Sequence, residues 1–281
     1  MSIEHYPAVL DSMRRAPFNL DDSDIAWVES TLAGLSTHDK VGQLFCGIGG
    51  DMSPEGLQRT LSVCTPGGIM YRPCTVDEAV AFSNLLAEKI NIPLLVAANL
   101  ERGGNGIVRE GTTLGSPLEV AATDDIDMAR KLGEVCGREG AAVGANWAFA
   151  PIIDIDYNFR NPITNIRTFG SDPDRVRDMG VAYVNAVQAH GVAASIKHFP
   201  GDGRDERDQH LVTSINDMSI DDWDATYGAA YSASIDAGAL TVMVGHIMHP
   251  AYSKALRPDL ADADIMPATL APEIMGDLWR R

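Results

Sequence analysis

The chain has 281 residues, 45% of them hydrophobic, enough for one large domain with its own core. A formal net charge of -17 at pH 7 excludes the basic stripe that a nucleic-acid groove needs, and suits a protein handling neutral or cationic ligands. No apolar run is long enough to span a bilayer, and the opening MSIEHYPAVLDSMRR carries acids without a signal peptide's apolar core, so the sequence reads as cytoplasmic.

In chain order, the first strand-like runs are Gln43–Ile48 and Gly68–Tyr71. A helix over Val76–Ile90 follows, with Thr75 and Glu78 as a capping box, and leads to a strand at Leu94–Ala98. Gly103-Gly104-Asn105-Gly106 comes next but precedes no convincing helix, so its signal as a phosphate loop is weak. A helix over Asp124–Val143, N-capped by Asp124, leads to a strand at Ala150–Ile155. A helix over Asp172–His190, capped by Asp172 and Gly191, leads to a strand at Ala193–Lys197. A last helix, Asp221–Ala237, precedes a strand at Leu240–His246. The four cysteines, Cys46, Cys64, Cys74 and Cys136, form no zinc or redox spacing and are expected to be small buried thiols in a reducing compartment.

Strand-helix alternation of this kind predicts an α/β fold with a parallel sheet covered by helices. There is no dinucleotide-type glycine fingerprint after the first strand. Polar residues instead cluster just after several strand ends, which converge on one site in a (β/α)8 TIM-type barrel. The densest such segment is KHFPGDGRDERDQH, Lys197 to His210, directly after a strand. It ends in Asp-x-His, a spacing that lets a carboxylate hold an imidazole, select its tautomer and raise its basicity. His246-Ile247-Met248-His249 has two imidazoles three apart, but no acid completes it as a metal site.

This segment resembles the KHFPGHG…D-S-H signature of family 3 glycoside hydrolases of the β-N-acetylglucosaminidase type. The likeness extends in order along the chain. Leu35–Phe45 resembles that family's opening helix and first strand, and Asn146–Ile155 its NWxFAPVxDV strand. Asn161-Pro162 with Arg167–Pro173 resembles its NP…RSFGxDP loop, Val242–His246 its VMxSH strand, and Pro267–Leu270 its PATLS. The resemblance divides the chain into an N-terminal extension and helix over 1–34 and a barrel over 35–281.

What the resemblance implies is a retaining glycosidase that removes terminal β-linked N-acetylhexosamine without metal or organic cofactor. Arg167, Lys197 and His198 would bind the sugar's hydroxyls, and Asp208 with His210 would form the acid/base dyad. Asn99 and Glu101 fall where the family commonly has Asp-x-Glu-Gly-Gly, and here read Asn99-Leu100-Glu101-Arg102-Gly103-Gly104; Asn99 keeps hydrogen bonding but loses the charge, and Arg102 adds bulk. Asp202 replaces the commoner His, and a Gly-Asp-Gly turn also occurs in the family's β-glucosidases. Asp154 reads equally as a strand-end cap and is kept out of the catalytic set. The family's nucleophile, an Asp in a strand after PATLS and its helix, is expected beyond residue 281; Asp259, Asp262 and Asp264 precede PATL. About six of the eight strands that close a barrel are therefore expected, the segment alone is expected to be inactive, and its unclosed edges could self-associate. A β-glucosidase, a phosphorylase and a non-catalytic glycan-binding remnant stay open as alternatives.

Overall fold

The computed structural model describes residues 7–278; the first six residues of the N-terminal extension and the last three of the helix expected after Pro267 lie outside the described residues. The chain divides into two compact units. One holds the residues up to Met70 together with Ala81–Val96, the other Tyr71–Val80 and the chain from Ala97 onward.

In the first unit, helices α1 (Pro7–Met13), α2 (Asp22–Gly34) and α3 (Thr37–Gly42) precede strand β1 (Cys46–Gly49). Helix α4 (Pro54–Val63), strand β2 (Gly68–Tyr71), most of helix α5 (Val76–Lys89) and the start of strand β3 (Leu95–Ala98) follow. Short polar residues start the helices by accepting otherwise unpaired amides. Asp21 and Ser36 cap α2 and α3 in capping boxes closed by Asp24 and Asp39, and Ser53 caps α4 ahead of Pro54. The Phe45 carbonyl accepts from Gly67 and Gly68, and the Gly67 carbonyl accepts from Leu95, which sets the order β1-β2-β3.

The second unit continues β3 into helices α6 (Pro117–Ala121) and α7 (Ile126–Ala142), strand β4 (Trp147–Ala148), helix α8 (Pro173–Gln188) and strand β5 (Ala193–Phe199). Strand β6 (Ser214–Ile215), helices α9 (Ile220–Trp223) and α10 (Ala229–Asp236), strands β7 (Thr241–Val244) and β8 (Ile247–Met248) and helix α11 (Pro250–Leu256) follow; beyond them, where a helix is expected after Pro267, the described chain forms a 3₁₀ turn at Ala268–Leu270 and a π turn at Ile274–Leu278. β3, β4, β5 and β7 pair in parallel through Ala97↔Trp147, Trp147↔Ala193 and Ser195↔Thr241. β6 and β8 form a separate parallel pair. Neighbouring strands thus follow chain order with no reversal. That is the winding of a (β/α) barrel; a doubly wound sheet reverses at a switch point.

The helices cover the sheet through continuous apolar stripes. α7 buries Ala129, Leu132, Gly133, Cys136, Gly137 and Gly140, a three-four spacing that lines one face. α8 answers with Val176, Met179, Gly180, Tyr183, Val184 and Val187. The Thr75–Glu78 capping box forms as predicted, with Thr75 N donating to Glu78 at 2.8 Å.

Four further expectations need correction. Ala150–Ile155 is not a regular strand: β4 stops at Ala148, and the run bonds to β5 irregularly, through Ser195 N to Ala150 O and Ile153 N to Lys197 O, because Pro151 has no amide to continue a ladder. Asp124 does not cap α7; it sits at φ 54, and Asp125 makes the cap by accepting from Asp127 N. The predicted helix Asp221–Ala237 is present, but a π turn at Asp224–Gly228 separates α9 from α10. Cys74 and Cys136 are buried as expected, and burial pushes the Cys136 thiol up to about 12. Cys46 is exposed, on the open face of β1 beside exposed Ile48, and Cys64 is half-buried.

Leu132 is fully buried in the α7 stripe. Replacing it with Ala should lower the unfolding free energy by about 2–5 kcal/mol, through lost transfer energy and the cavity left behind. Urea denaturation reads this directly, and an unchanged midpoint would show that α7 does not pack as described.

Candidate active site

The candidate site lies in the second unit, where residues after β3, in the loop after β4 and at the end of β5 meet. Glu101 is its first centre. The carbonyl of Leu100 accepts from the buried Tyr183 hydroxyl and from Cys136 Sγ, so two covering helices fix the backbone just before Glu101. The Glu101 carboxylate then takes a two-pronged contact from Arg167, Nε at 3.0 Å and Nη2 at 2.8 Å, and Lys197 Nζ at 2.7 Å. Burial alone would raise the Glu101 carboxyl, but the charges and hydrogen bonds of Lys197 and Arg167 hold it at about 2. The cations are less well served, since they share one anion. Burial lowers the Lys197 ammonium despite Glu101. Arg167 is also opposed by burial, yet its forked bond to Glu101 raises it.

Asp154 is the second centre. It is fully buried, and its carboxylate accepts three donors. Oδ1 takes the backbone amides of His198 at 3.0 Å and Asp202 at 2.7 Å, and Oδ2 takes His198 Nδ1 at 2.6 Å. A carboxylate on Nδ1 selects the Nδ1-protonated tautomer and leaves Nε2 as the nitrogen for a ligand. Successive strand residues ordinarily face opposite sides. Here the β5–β7 register shifts between Lys197 and Phe199, so His198 sits in a bulge, and Lys197 reaches Glu101 while His198 reaches Asp154.

The Pro200–Gly203 turn that follows is held from below. Trp223 Nε1 donates to Pro200 O at 2.6 Å, Asn216 to Gly201 O at 3.0 Å, and the Tyr227 hydroxyl to Asp202 O. Gly203 is required where it stands: its φ is 108°, and a Cβ would lie 1.9 Å from Ile155 O. Asp202, also buried, accepts from Asn161 Nδ2 at 2.7 Å and from Gln209 Nε2 at 2.6 Å. Burial and the nearby Asp154 charge raise its carboxyl.

Asp208 and His210 bond each other on an exposed loop, His210 Nδ1 to Asp208 Oδ1 at 2.8 Å, with the His210 amide on the same oxygen. The amide bond comes first among the causes that lower the Asp208 carboxyl, and the Arg167 charge also contributes. A shallow groove of about 370 Å³ runs beside them, lined by His210, Leu211, Val212, His246, Thr269 and Leu270 among others. A larger cavity of about 650 Å³, lined by Trp223, Tyr231 and Tyr252, contains none of these charged groups.

Of the residues singled out in the sequence, the structure therefore joins Glu101, Arg167 and Lys197 directly, places His198 next to them, and pairs Asp208 with His210. Asn99 is half-buried after β3 and makes no hydrogen bond to this group. Asp154, which the sequence read equally as a strand-end cap and kept out of the catalytic set, is here a buried charge whose partners come from the chain leaving β5. Asn161 and Gln209 lay inside motifs that the sequence singled out, but neither was assigned a role; the structure bonds both to Asp202. No group of three metal-ligating side chains exists among the described residues, and no described helix is long and apolar enough to cross a membrane.

Glu101→Gln should destabilise the fold at neutral pH by about 3–5 kcal/mol, because two cations lose their buried partner. A folded value of about 2 lies below the ordinary carboxyl value of 4.5, so the ionised Glu101 contributes fully above 4.5 and loses its contribution as pH falls from there through 2. The gap between wild-type and variant denaturation midpoints should narrow over that window. A gap independent of pH would contradict the ion-pair account.

The sequence and the fold have counterparts among known proteins. Residues 37–281 match the glycosyl hydrolase family 3 N-terminal domain. A beta-N-acetylglucosaminidase/beta-glucosidase of Cellulomonas fimi is 53% identical over 265 residues, covering 94% of this chain and 47% of its own length. A beta-hexosaminidase A of Pseudoalteromonas piscicida is 31% identical, covering 68% of this chain and 33% of its own length. Among solved structures, a beta-glucoside phosphorylase bound to 2FGlc superposes with a TM-score of 0.89 at 46% identity, over 96% of this chain and 48% of that one. A family 3 beta-N-acetylglucosaminidase from Paenibacillus sp. str. FPU-7 gives a TM-score of 0.75 at 28% identity, over 88% of this chain and 47% of that one. This chain spans about half the length of most of these relatives, and it belongs to glycosyl hydrolase family 3, whose N-terminal domain it matches.

Proposed function

We propose that the full-length protein carrying this chain is a retaining glycoside hydrolase that removes terminal β-linked N-acetylhexosamine, and that this chain supplies its sugar-binding residues and its acid/base. The observation that carries the reading is the Asp208–His210 pair, an imidazole held by a carboxylate on an exposed loop after strand β5, which carries buried Lys197 and His198. In this reading Arg167, Lys197, His198, Glu101 and Asn99 hold sugar hydroxyls. Cationic donors oriented by Glu101 strengthen their bonds as charge develops in the transition state. His210 gives its proton to the departing oxygen, and Asp208 holds Nδ1 so that the outer nitrogen faces the reaction. The attacking carboxylate is expected from residues that follow this chain, about 5 Å from the acid as double displacement requires. The cytoplasmic setting read from the sequence belongs to this proposal.

A second reading is a phosphorylase. It is supported by the likeness to a beta-glucoside phosphorylase, and by chemistry: a neutral imidazole does not repel incoming phosphate as a carboxylate would. One comparison separates the readings. The full-length protein should cleave an aryl β-N-acetylglucosaminide faster than the aryl β-glucoside, with inorganic phosphate leaving the rate unchanged. Equal or reversed rates support a glucosidase. A glycosyl phosphate product that appears only with phosphate supports the phosphorylase.

The dyad has its own test. His210→Ala should lower the rate about 10²–10⁴-fold on a substrate with a poor leaving group, and much less on one with an activated leaving group. Asp208→Ala should act in the same direction. Full activity of both variants on the poor leaving group would remove the acid/base assignment.

A further inference from the structure

We propose that Gln209 is a positioning residue that clamps the Asp208/His210 loop to the buried end of the site, an inference that rests on the dyad reading above. The three consecutive residues behave differently. The Asp208 and His210 side chains are 30% and 60% exposed, whereas Gln209 between them is 4% exposed. A buried amide is costly unless both of its ends are paired. Both are: Nε2 donates to Asp202 Oδ2 at 2.6 Å, and Oε1 accepts the His246 amide at 2.9 Å. A carboxylate can only accept and a backbone amide can only donate, so the two partners also dictate which way the amide points.

The seat is built for this side chain. Gly245 lies against it, and a Cβ there would come within 2.5 Å of Gln209 Oε1. Asp202 is itself immobilised, by Asn161 and the Gly203 amide on its Oδ1, and by its own amide on Asp154. A continuous chain of bonds therefore runs from the exposed pair through Gln209 and Asp202 to Asp154 and His198. The turn also closes on itself, since Leu211 and Val212 amides donate to Asp208 O. One anchored residue between two solvent-facing ones fixes where both can point, and leaves them accessible to substrate.

The test exchanges donor and acceptor. Gln209→Glu sets a second carboxylate against Asp202, so its rate should be low and should fall further as pH rises and the proton shared by the two acids is lost. Asp202→Asn combined with Gln209→Glu rebuilds the bond in reverse: Asn Nδ2 donates to the new carboxylate, Oδ1 still serves Asn161 and Gly203, and the other Glu oxygen accepts from His246. In the full-length protein, Gln209→Ala should reduce kcat on a poor leaving group about 10–100-fold at nearly unchanged KM, with a small loss on an activated one. The double variant should recover to within several-fold of wild type. If His210→Ala keeps full activity, the dyad reading falls and this inference with it. If His210→Ala loses activity while Gln209→Ala does not, or if the double variant melts like wild type but stays as slow as Gln209→Glu, the clamp alone is overturned.

Discussion

A fully buried carboxylate with no neighbouring lysine or arginine bonded to it organises the site. Removing such a charge from water is tolerated only when hydrogen-bond donors replace the lost solvation. Asp154 meets that condition with two backbone amides and one imidazole, all from the stretch between His198 and Asp202. Satisfying one acid therefore dictates the course of the chain as it leaves β5. The bulge at His198 and the turn through Gly203 are the backbone's answer to that demand, and Trp223, Asn216 and Tyr227 hold the turn's carbonyls from the other side.

Around that centre the charges are unequal by design of the contacts. Glu101 alone serves both Arg167 and Lys197, so the carboxylate is over-compensated and each cation under-compensated. Two cations on one anion leave donor capacity unspent, which is what a ring of sugar hydroxyls would use under the proposed function. Asp154 and Asp202 flank Lys197 in sequence and hold the loop that carries Asp208 and His210. The site thus separates a buried, fully bonded part from the exposed Asp208–His210 pair, with Gln209 between them.

Much of this organisation was legible in the sequence where local rules decide. The capping box at Thr75 and Glu78, the cap at Asp172 and the strand at Gly68–Tyr71 depend on neighbours within a few residues, and they occur where read. Asp208 and His210 are two residues apart, so their bond was also accessible. Errors arose where a local preference had two outlets. Asp124 and Asp125 are both competent caps, and the choice of Asp125 leaves Asp124 in a left-handed turn. Ala150–Ile155 has a strand's composition, but Pro151 interrupts its hydrogen bonding, so Asp154 is presented by irregular chain.

By itself the sequence determined the α/β alternation, the chain-order winding that it implies, the family, and the segments that supply the candidate site, because periodicity, caps and ordered motifs are properties of neighbouring residues. Only the tertiary structure decided which charges meet. Glu101 and Lys197 are 96 positions apart, Asp154 and His198 are 44 apart, and Gln209 contacts the backbone of His246 from 37 positions away. No spacing rule links such residues. They come together because parallel strands deliver their ends to one edge, and because buried polar groups must find partners there or not be buried at all.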